Sequence, residues 1–214
     1  MNSQYRARLH AGVGKLGLSL DPAAEQQLLD YLALLAKWNR TYNLTGIRDE
    51  EAMLSQHLLD SLAVLPYLDG NSDRALILAD VGSGGGLPGI PLAIARPMLK
   101  VALIESSQKK ASFLQQAKIE LRLENVSVHC VRAEDFKPAV LFDIVITRAF
   151  ASLAEFVRHS AHLLAVGGRL LAMKGHYPGQ EIAELRSGWR VRQSISLVVP
   201  ELDAQRNLIV IEKI

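Results

Sequence analysis

A single cysteine, Cys130, stands among the 214 residues. No internal disulfide can therefore staple the fold, and the chain suits a reducing compartment, the cytosol. The cysteine lies in the run Val126-Ser127-Val128-His129-Cys130-Val131, so its thiol is expected to be buried. No uninterrupted apolar run approaches the ~20 residues of a membrane helix. The first twenty residues carry Arg6, Arg8, His10 and Lys15 without a continuous apolar core, and no signal peptide is expected. Charge of one sign is also scarce. The formal net charge is +2, and the basic excess is confined to the part after residue 75, with 17 Lys and Arg against 13 Asp and Glu. That balance permits contact with nucleic acid without arguing for it. No second His or Cys stands at ligand spacing beside His57, so no metal site is expected. Repeats and low-complexity linkers are missing too. What remains is ordinary for a globular chain, 49% hydrophobic and 21% charged.

Two regimes divide the sequence. Residues 1–70 read as a helical extension and residues 71–214 as an α/β domain. In the first, a short helix is expected over Ser3–Leu16. A second starts at Asp21-Pro22, where Asp21 can cap and Pro22 occupies the first helical position. Leu28, Leu29, Tyr31, Leu32, Leu35 and Trp38 then recur at helical spacing until Asn39 to Gly46 end it. A third begins at Asp49-Glu50-Glu51, whose acids suit the positive end of a helix dipole, and runs to Pro66. After residue 75, short apolar runs alternate with helical segments. Ala75–Asp80, Val101–Glu105, Val126–Val131, Asp143–Thr147 and Arg169–Lys174 read as strands; Pro88–Ala95, Gln108–Leu123, Leu153–Ala165 and Gly179–Ser187 read as helices. This βαβ alternation predicts a doubly wound, mostly parallel sheet with right-handed crossovers. Two final strands, Arg190–Val199 and Asn207–Glu212, have no helix between them and predict an antiparallel hairpin at the sheet edge.

The first strand runs into Asp80-Val81-Gly82-Ser83-Gly84-Gly85-Gly86-Leu87-Pro88-Gly89, with five glycines in eight residues. Such a turn lets a ligand rest against bare backbone at the carboxyl end of a parallel strand. Gly84-x-Gly86-x-x-Gly89 formally matches the dinucleotide fingerprint, with Glu105 at a plausible distance for a ribose-binding acid. Its register is wrong, however: the first turn glycine is Gly82, and counting from there the third position falls on Leu87. Asp80-x-Gly82-x-Gly84-x-Gly86 instead resembles the first motif of class I S-adenosylmethionine-dependent methyltransferases. In that reading Asp80 orients the loop or the methionine end of the cofactor, and Glu105 accepts hydrogen bonds from both ribose hydroxyls. Ala133-Glu134-Asp135 follows the third strand, where such enzymes commonly place a pair beside the adenine. Arg148 and Phe150 lie just past the fourth strand, at the carboxyl edge of the sheet where ligands and substrates meet. The terminal hairpin matches the seven-stranded, Rossmann-like methyltransferase sheet. Two alternatives stay open on these motifs: an NAD-type oxidoreductase, and a non-catalytic S-adenosylmethionine-binding regulatory protein that kept the fold.

A narrower resemblance is carried by Val81-Gly-Ser-Gly-Gly-Gly-Leu-Pro-Gly-Ile-Pro-Leu-Ala, with Trp38-Asn39-x-x-Tyr42-Asn43-Leu44-Thr45 and His57-x-x-Asp60-Ser61-Leu62 before it. Glu105-x-x-x-Lys109-Lys110-x-x-Phe113-Leu114, Arg132-Ala133-Glu134, Thr147-Arg148-Ala149 and Met173-Lys174-Gly175 follow. Over roughly residues 20–175 the chain resembles the bacterial RsmG (GidB) family of 16S rRNA guanine-N7 methyltransferases. That resemblance implies S-adenosyl-L-methionine as cofactor. It also implies one guanine, guanine-527 of 16S rRNA, as target, in the small ribosomal subunit or an assembly intermediate. Gly82, Leu87, Ala133, Glu134 and Arg148 fall where the family contacts the cofactor; Asp80, Gly84 and Glu105 join them on general methyltransferase grounds. A cytoplasmic monomer is expected.

Guanine N7 carries a free lone pair, so no general base is nominated. Arg148 and Lys174 are the candidates for steering rRNA phosphates or the cofactor carboxylate. Trp38, Asn39, Tyr42, Asn43, Thr45, His57 and Asp60 read first as polar locks between the helical layer and the sheet, and second as part of the substrate wall. Lys109, Lys110, Lys118, Arg122, Arg186, Arg190 and Arg192 offer phosphate contacts or a solvated basic face.

Overall fold

The computed structural model describes residues 3–68, 75–150 and 152–214. The boundary expected at residues 70 and 71 lies outside these. Helix α1 covers Ser3–Lys15 and α2 covers Pro22–Tyr42. Asp21 caps α2 as expected, accepting the Ala24 N–H, and Asn43 ends it in the left-handed conformation at φ 51°. The third helix is not continuous. It starts as α3, Glu50–Met53, under the Asp49 cap, widens into π turns over Leu54–Leu59, and resumes as α4, Asp60–Leu62. Apolar spacing cannot register that distortion, because one looser turn leaves the same residues on the buried side.

Seven strands form one sheet: β1 (Ile77–Val81), β2 (Lys100–Ile104), β3 (Val126–His129), β4 (Phe142–Thr147), β5 (Leu164–Lys174), β6 (Trp189–Ser196) and β7 (Asn207–Lys213). Their order is β3-β2-β1-β4-β5-β7-β6. The first five run parallel, and β7 pairs antiparallel with both β5 and β6. The expected hairpin is thus present, with its second strand inserted between the parallel sheet and β6. Helices α5 (Gly89–Ala95) and α6 (Gln108–Glu120) cover one face; α7 (Leu153–Ser160) and α8 (Gly179–Ala183) flank the other. The helix expected over Leu153–Ala165 stops short: a 3-10 turn at Ala161–Leu163 hands the chain to β5, which opens at Leu164 rather than Arg169.

Alternation along the strands distributes the core. Leu78, Leu103 and Ile146 point to the α5–α6 face, while Ala79, Ala102 and Val145 point to the α7–α8 face. The amino-terminal helices belong to the first of these cores, where Leu28, Leu32, Leu35, Leu58 and Leu62 pack with Ile90, Leu103 and Leu114. Among the described residues no helix is long and apolar enough to cross a membrane. Cys130 departs from expectation: it is exposed. β3 is the outermost strand and ends at His129, so Cys130 already lies past the sheet at its unpaired edge.

One contact joins the helical layer to the glycine loop. Tyr31, fully buried, donates its hydroxyl to the Gly85 carbonyl at 2.6 Å. Tyr31→Phe would leave that carbonyl without its partner. Equilibrium unfolding is expected to show a loss of about 1–3 kcal/mol, and an unchanged denaturation midpoint would contradict the contact's importance.

Candidate functional site

β1 ends beneath a loop that is fastened from several directions. The Gly82 N–H donates to the Ile104 carbonyl at 2.9 Å, and the Ser83 hydroxyl to the same oxygen at 3.2 Å. The Glu105 carboxylate takes the Gly84 N–H on one oxygen and the Ser107 N–H on the other, both at 2.8 Å. Within the loop the Gly86 and Leu87 N–H groups close onto the Ser83 carbonyl. Gly82 adopts φ 72°, and a Cβ there would stand 2.9 Å from the Ala149 Cβ, so only glycine fits between β1 and the end of β4. The Thr147 hydroxyl closes the same seam by donating to the Val81 carbonyl at 2.8 Å.

Asp80 lies below the loop, on the α5 side of the sheet. Its carboxylate is fully buried; one oxygen accepts the Gly89 N–H at 2.8 Å and the other has no partner. Burial pushes the carboxyl up to about 7, against the opposing pull of the Gly89 N–H and Arg148. The Gly89 bond ties Asp80 to the far end of the loop. Gly89 is needed here because a Cβ would meet Leu103 Cδ2 at 2.4 Å and Asp80 Oδ2 at 2.8 Å. At Gly86 a Cβ would meet Ile90 at 2.4 Å. Gly86 and Gly89 thus serve packing between the loop, the sheet and α5.

Above the loop, a cleft of about 250 Å³ opens at the carboxyl ends of β1 and β2. Gly82, Ile104, Ser106, Ala133, Glu134, Phe150 and His159 line it. Gly82, Ala133 and Glu134 are therefore brought together as the sequence predicts, with Gly84 and Glu105 fastened alongside. Glu134 is held below the usual carboxylate range by its own backbone N–H, and also by His159, at 3.3 Å, and Arg132. Leu87 differs: its side chain is buried in the core, and its N–H is committed to Ser83. Phe150, stacked against His159 at 5.9 Å between ring centres, was marked only by its place after β4. Ser106 and His159 carried no sequence signal.

A second pocket of about 310 Å³ lies on the other side of the β4 end, lined by Gln56, His57, Asp60, Arg148, Lys174 and Arg206 among others. The π turns bring Gln56 and His57 to it, and the first residue of α4 brings Asp60. Arg148 Nη1 donates to Asp60 Oδ2 at 3.0 Å and to the Gln56 carbonyl at 3.2 Å. Arg206 Nε donates to Asp60 Oδ1 at 3.1 Å. Burial, reinforced by Arg148, pushes His57 down to about 4, so the ring is neutral near pH 7. The carbonyl of Gln56 can only accept, which places the ring proton on Nδ1; Nε2 then accepts from the Thr45 hydroxyl at 2.9 Å. Lys174 Nζ bonds the Phe150 carbonyl and lies 2.9 Å from Glu181, which also accepts the Leu153 N–H. Both nominated cations are thus paired with acids at the sheet mouth.

The remaining polar residues divide cleanly. Asn39 locks the turn after α2, donating to the Ile47 carbonyl and accepting the Thr45 N–H, and Trp38 packs on Tyr42 and Phe113. Those are structural locks. Arg190 and Arg192 both pair with Glu212 on the hairpin. Among the described residues no group of three or more His, Cys, Asp or Glu side chains could hold a metal.

Burial of Asp80 has a consequence for pH. Its folded-state value near 7 lies above the ordinary one near 4, so between these the native protein holds a proton that the unfolded chain releases. Stability from this group is present below pH 4 and is lost as pH rises towards 7. Asp80→Asn keeps an acceptor for Gly89 and has no charge to bury. Urea unfolding across pH should therefore show wild type losing stability relative to the variant within that window; a pH-independent difference would contradict it.

Comparison with known proteins agrees with this geometry. The GidB family, described as rRNA small subunit methyltransferase G, matches residues 24–209. Ribosomal RNA small subunit methyltransferase G of Aromatoleum aromaticum is 54% identical over 211 residues, covering 97% of this chain and 98% of its own. The protein of that name from Azoarcus sp. is 52% identical over 209 residues, covering 98% and 97%. A solved S-adenosylmethionine-dependent methyltransferase from Aquifex aeolicus superposes with a TM-score of 0.59 at 16% identity, over 83% of this chain and 97% of its own. The fold is the class I S-adenosylmethionine-dependent methyltransferase fold. With a family match over nearly the whole chain and relatives above 50% identity, the chain belongs to the GidB family.

Proposed function

We propose that this chain transfers a methyl group from S-adenosyl-L-methionine to N7 of guanine-527 in 16S rRNA, acting on the small subunit or an assembly intermediate as a cytoplasmic monomer. The observation that carries the reading is the fastened glycine loop with Glu105 held beside it, in a chain whose relatives are named for small-subunit rRNA methylation.

The residues present fit the cofactor. Gly82 lines the cleft with bare backbone, with no phosphate to neutralise. Glu105 has acceptors left after its two backbone bonds, since an ionised carboxylate offers about four lone-pair sites, and these suit a ribose diol. Ala133 and Phe150 give the cleft apolar surface for a purine, and Glu134 stands at its rim. Bound there, S-adenosylmethionine supplies a methyl group activated by a sulfonium. Leu87 contributes by shaping the loop from the core side, and Arg148 by placing a guanidinium in the second pocket.

The acceptor belongs in the second pocket. Guanine N7 has a lone pair and no proton to lose, so the chain needs no general base there. His57 agrees with that requirement, being neutral with both ring nitrogens engaged. What the protein contributes is alignment of the acceptor with the reacting group. Arg148, Lys174 and Arg206 add positive charge at the mouth, suited to the rRNA backbone.

Incubating the protein with labelled S-adenosylmethionine and small subunits from a strain lacking the enzyme should place the label on N7 of guanine-527. Label in protein, or on another base atom, would overturn the reading. Glu105→Ala is expected to weaken S-adenosylhomocysteine binding by about 10-fold or more, the scale of a hydrogen bond to a charged group. Unchanged affinity by calorimetry would remove Glu105 from the site.

A further inference from the structure

We propose that Asp60 is a positioning residue for methyl transfer: one buried carboxylate that holds Arg148 and Arg206 in register at the acceptor pocket. The inference rests on the reading of the chain as an rRNA methyltransferase.

The three residues come from distant parts of the chain. Asp60 opens α4 just after the π turns, Arg148 follows β4, and Arg206 precedes β7. The Asp60 side chain is among the residues lining the pocket but is only 4% exposed. Each of its oxygens takes a different guanidinium, Arg148 on Oδ2 and Arg206 on Oδ1. Arg148 uses only Nη1 in its bonds to Asp60 and Gln56, and Arg206 uses Nε and Nη1, so Nη2 of each takes no part in these contacts. Two guanidiniums brought this close repel one another unless an anion stands between them. Asp60 is that anion.

Electrostatics and geometry pull in opposite directions at this position, and that separates the possible roles. A negative charge beside a pocket meant for RNA weakens attraction for phosphates. A buried ion cluster is also a poor source of net stability compared with apolar packing of the same volume. What the carboxylate supplies is the fixed placement of two cations at the carboxyl edge of the sheet, where small displacements are costly to reaction rate. Asp60 acts through the arginines and does not itself touch the acceptor.

Asp60→Asn separates placement from charge. It adds net positive charge to the pocket, so affinity for small subunits is expected to hold or tighten. The single-turnover methylation rate at saturating subunits is expected to fall by about 10- to 100-fold. A folded variant whose saturated rate stays within about twofold of wild type, or whose only defect is weaker subunit binding, overturns the proposal. Should Asp60→Asn fail to fold, Arg206→Lys keeps the charge but loses the Nε bond to Asp60. The same fall at saturation supports the proposal, and an unchanged rate overturns it. Wild type is measured alongside: if it leaves guanine-527 unmethylated, the parent reading has failed, whereas an active wild type with an equally active variant fails this inference alone.

Discussion

The hydrogen bond from the Gly89 N–H to the buried Asp80 carboxylate spans the whole glycine loop, from the strand beneath it to the first residue of α5. Burying a carboxylate with one oxygen unpartnered is costly, and its value near 7 reflects that cost. The return is geometric. With Asp80 fixing the far end, Glu105 the middle and the Ile104 carbonyl the near end, the loop has little freedom left, and bare backbone faces the cleft. A ligand that depends on close backbone contact then finds its surface already formed, which lowers the ordering cost of binding.

The amino-terminal helices are part of this construction. Tyr31 fastens the loop from α2, and the π turns with the first residue of α4 present the Gln56 carbonyl, His57 and Asp60 to the end of β4. Without that layer the sheet would carry the cleft above the glycine loop and no second pocket. The layer shares its hydrophobic core with α5 and α6, so the two pockets are held relative to one another by packing.

The features legible in the sequence are those fixed by short-range chemistry. Asp80, Gly82 and Glu105 could be placed because a strand end, a left-handed turn and the next parallel strand impose a local order of residues. The seven strands were legible through short apolar runs broken by helical segments. Cys130 could not be placed, because its apolar neighbours do not say that β3 is an edge strand ending one residue earlier. The extension of β5 back to Leu164 was hidden because Leu164 and Ala165 continue the apolar pattern of the helix before them. Arg206 sits 146 residues from the acid it pairs with, and nothing around it marks a partner on the first helices. Asp60 and His57 drew attention by their spacing, but the π turns that aim them follow from tertiary packing.

The bonds to Glu105, Asp80 and the Ile104 carbonyl set the glycine loop before any ligand arrives. Amide hydrogen exchange on the ligand-free protein, resolved to single residues, tests it most directly. Slow exchange is expected at Gly84 and Gly89, whose N–H groups are held by Glu105 and Asp80, with little change when S-adenosylhomocysteine is added. Exchange at both amides near the unprotected rate, with protection appearing only on ligand addition, would contradict it.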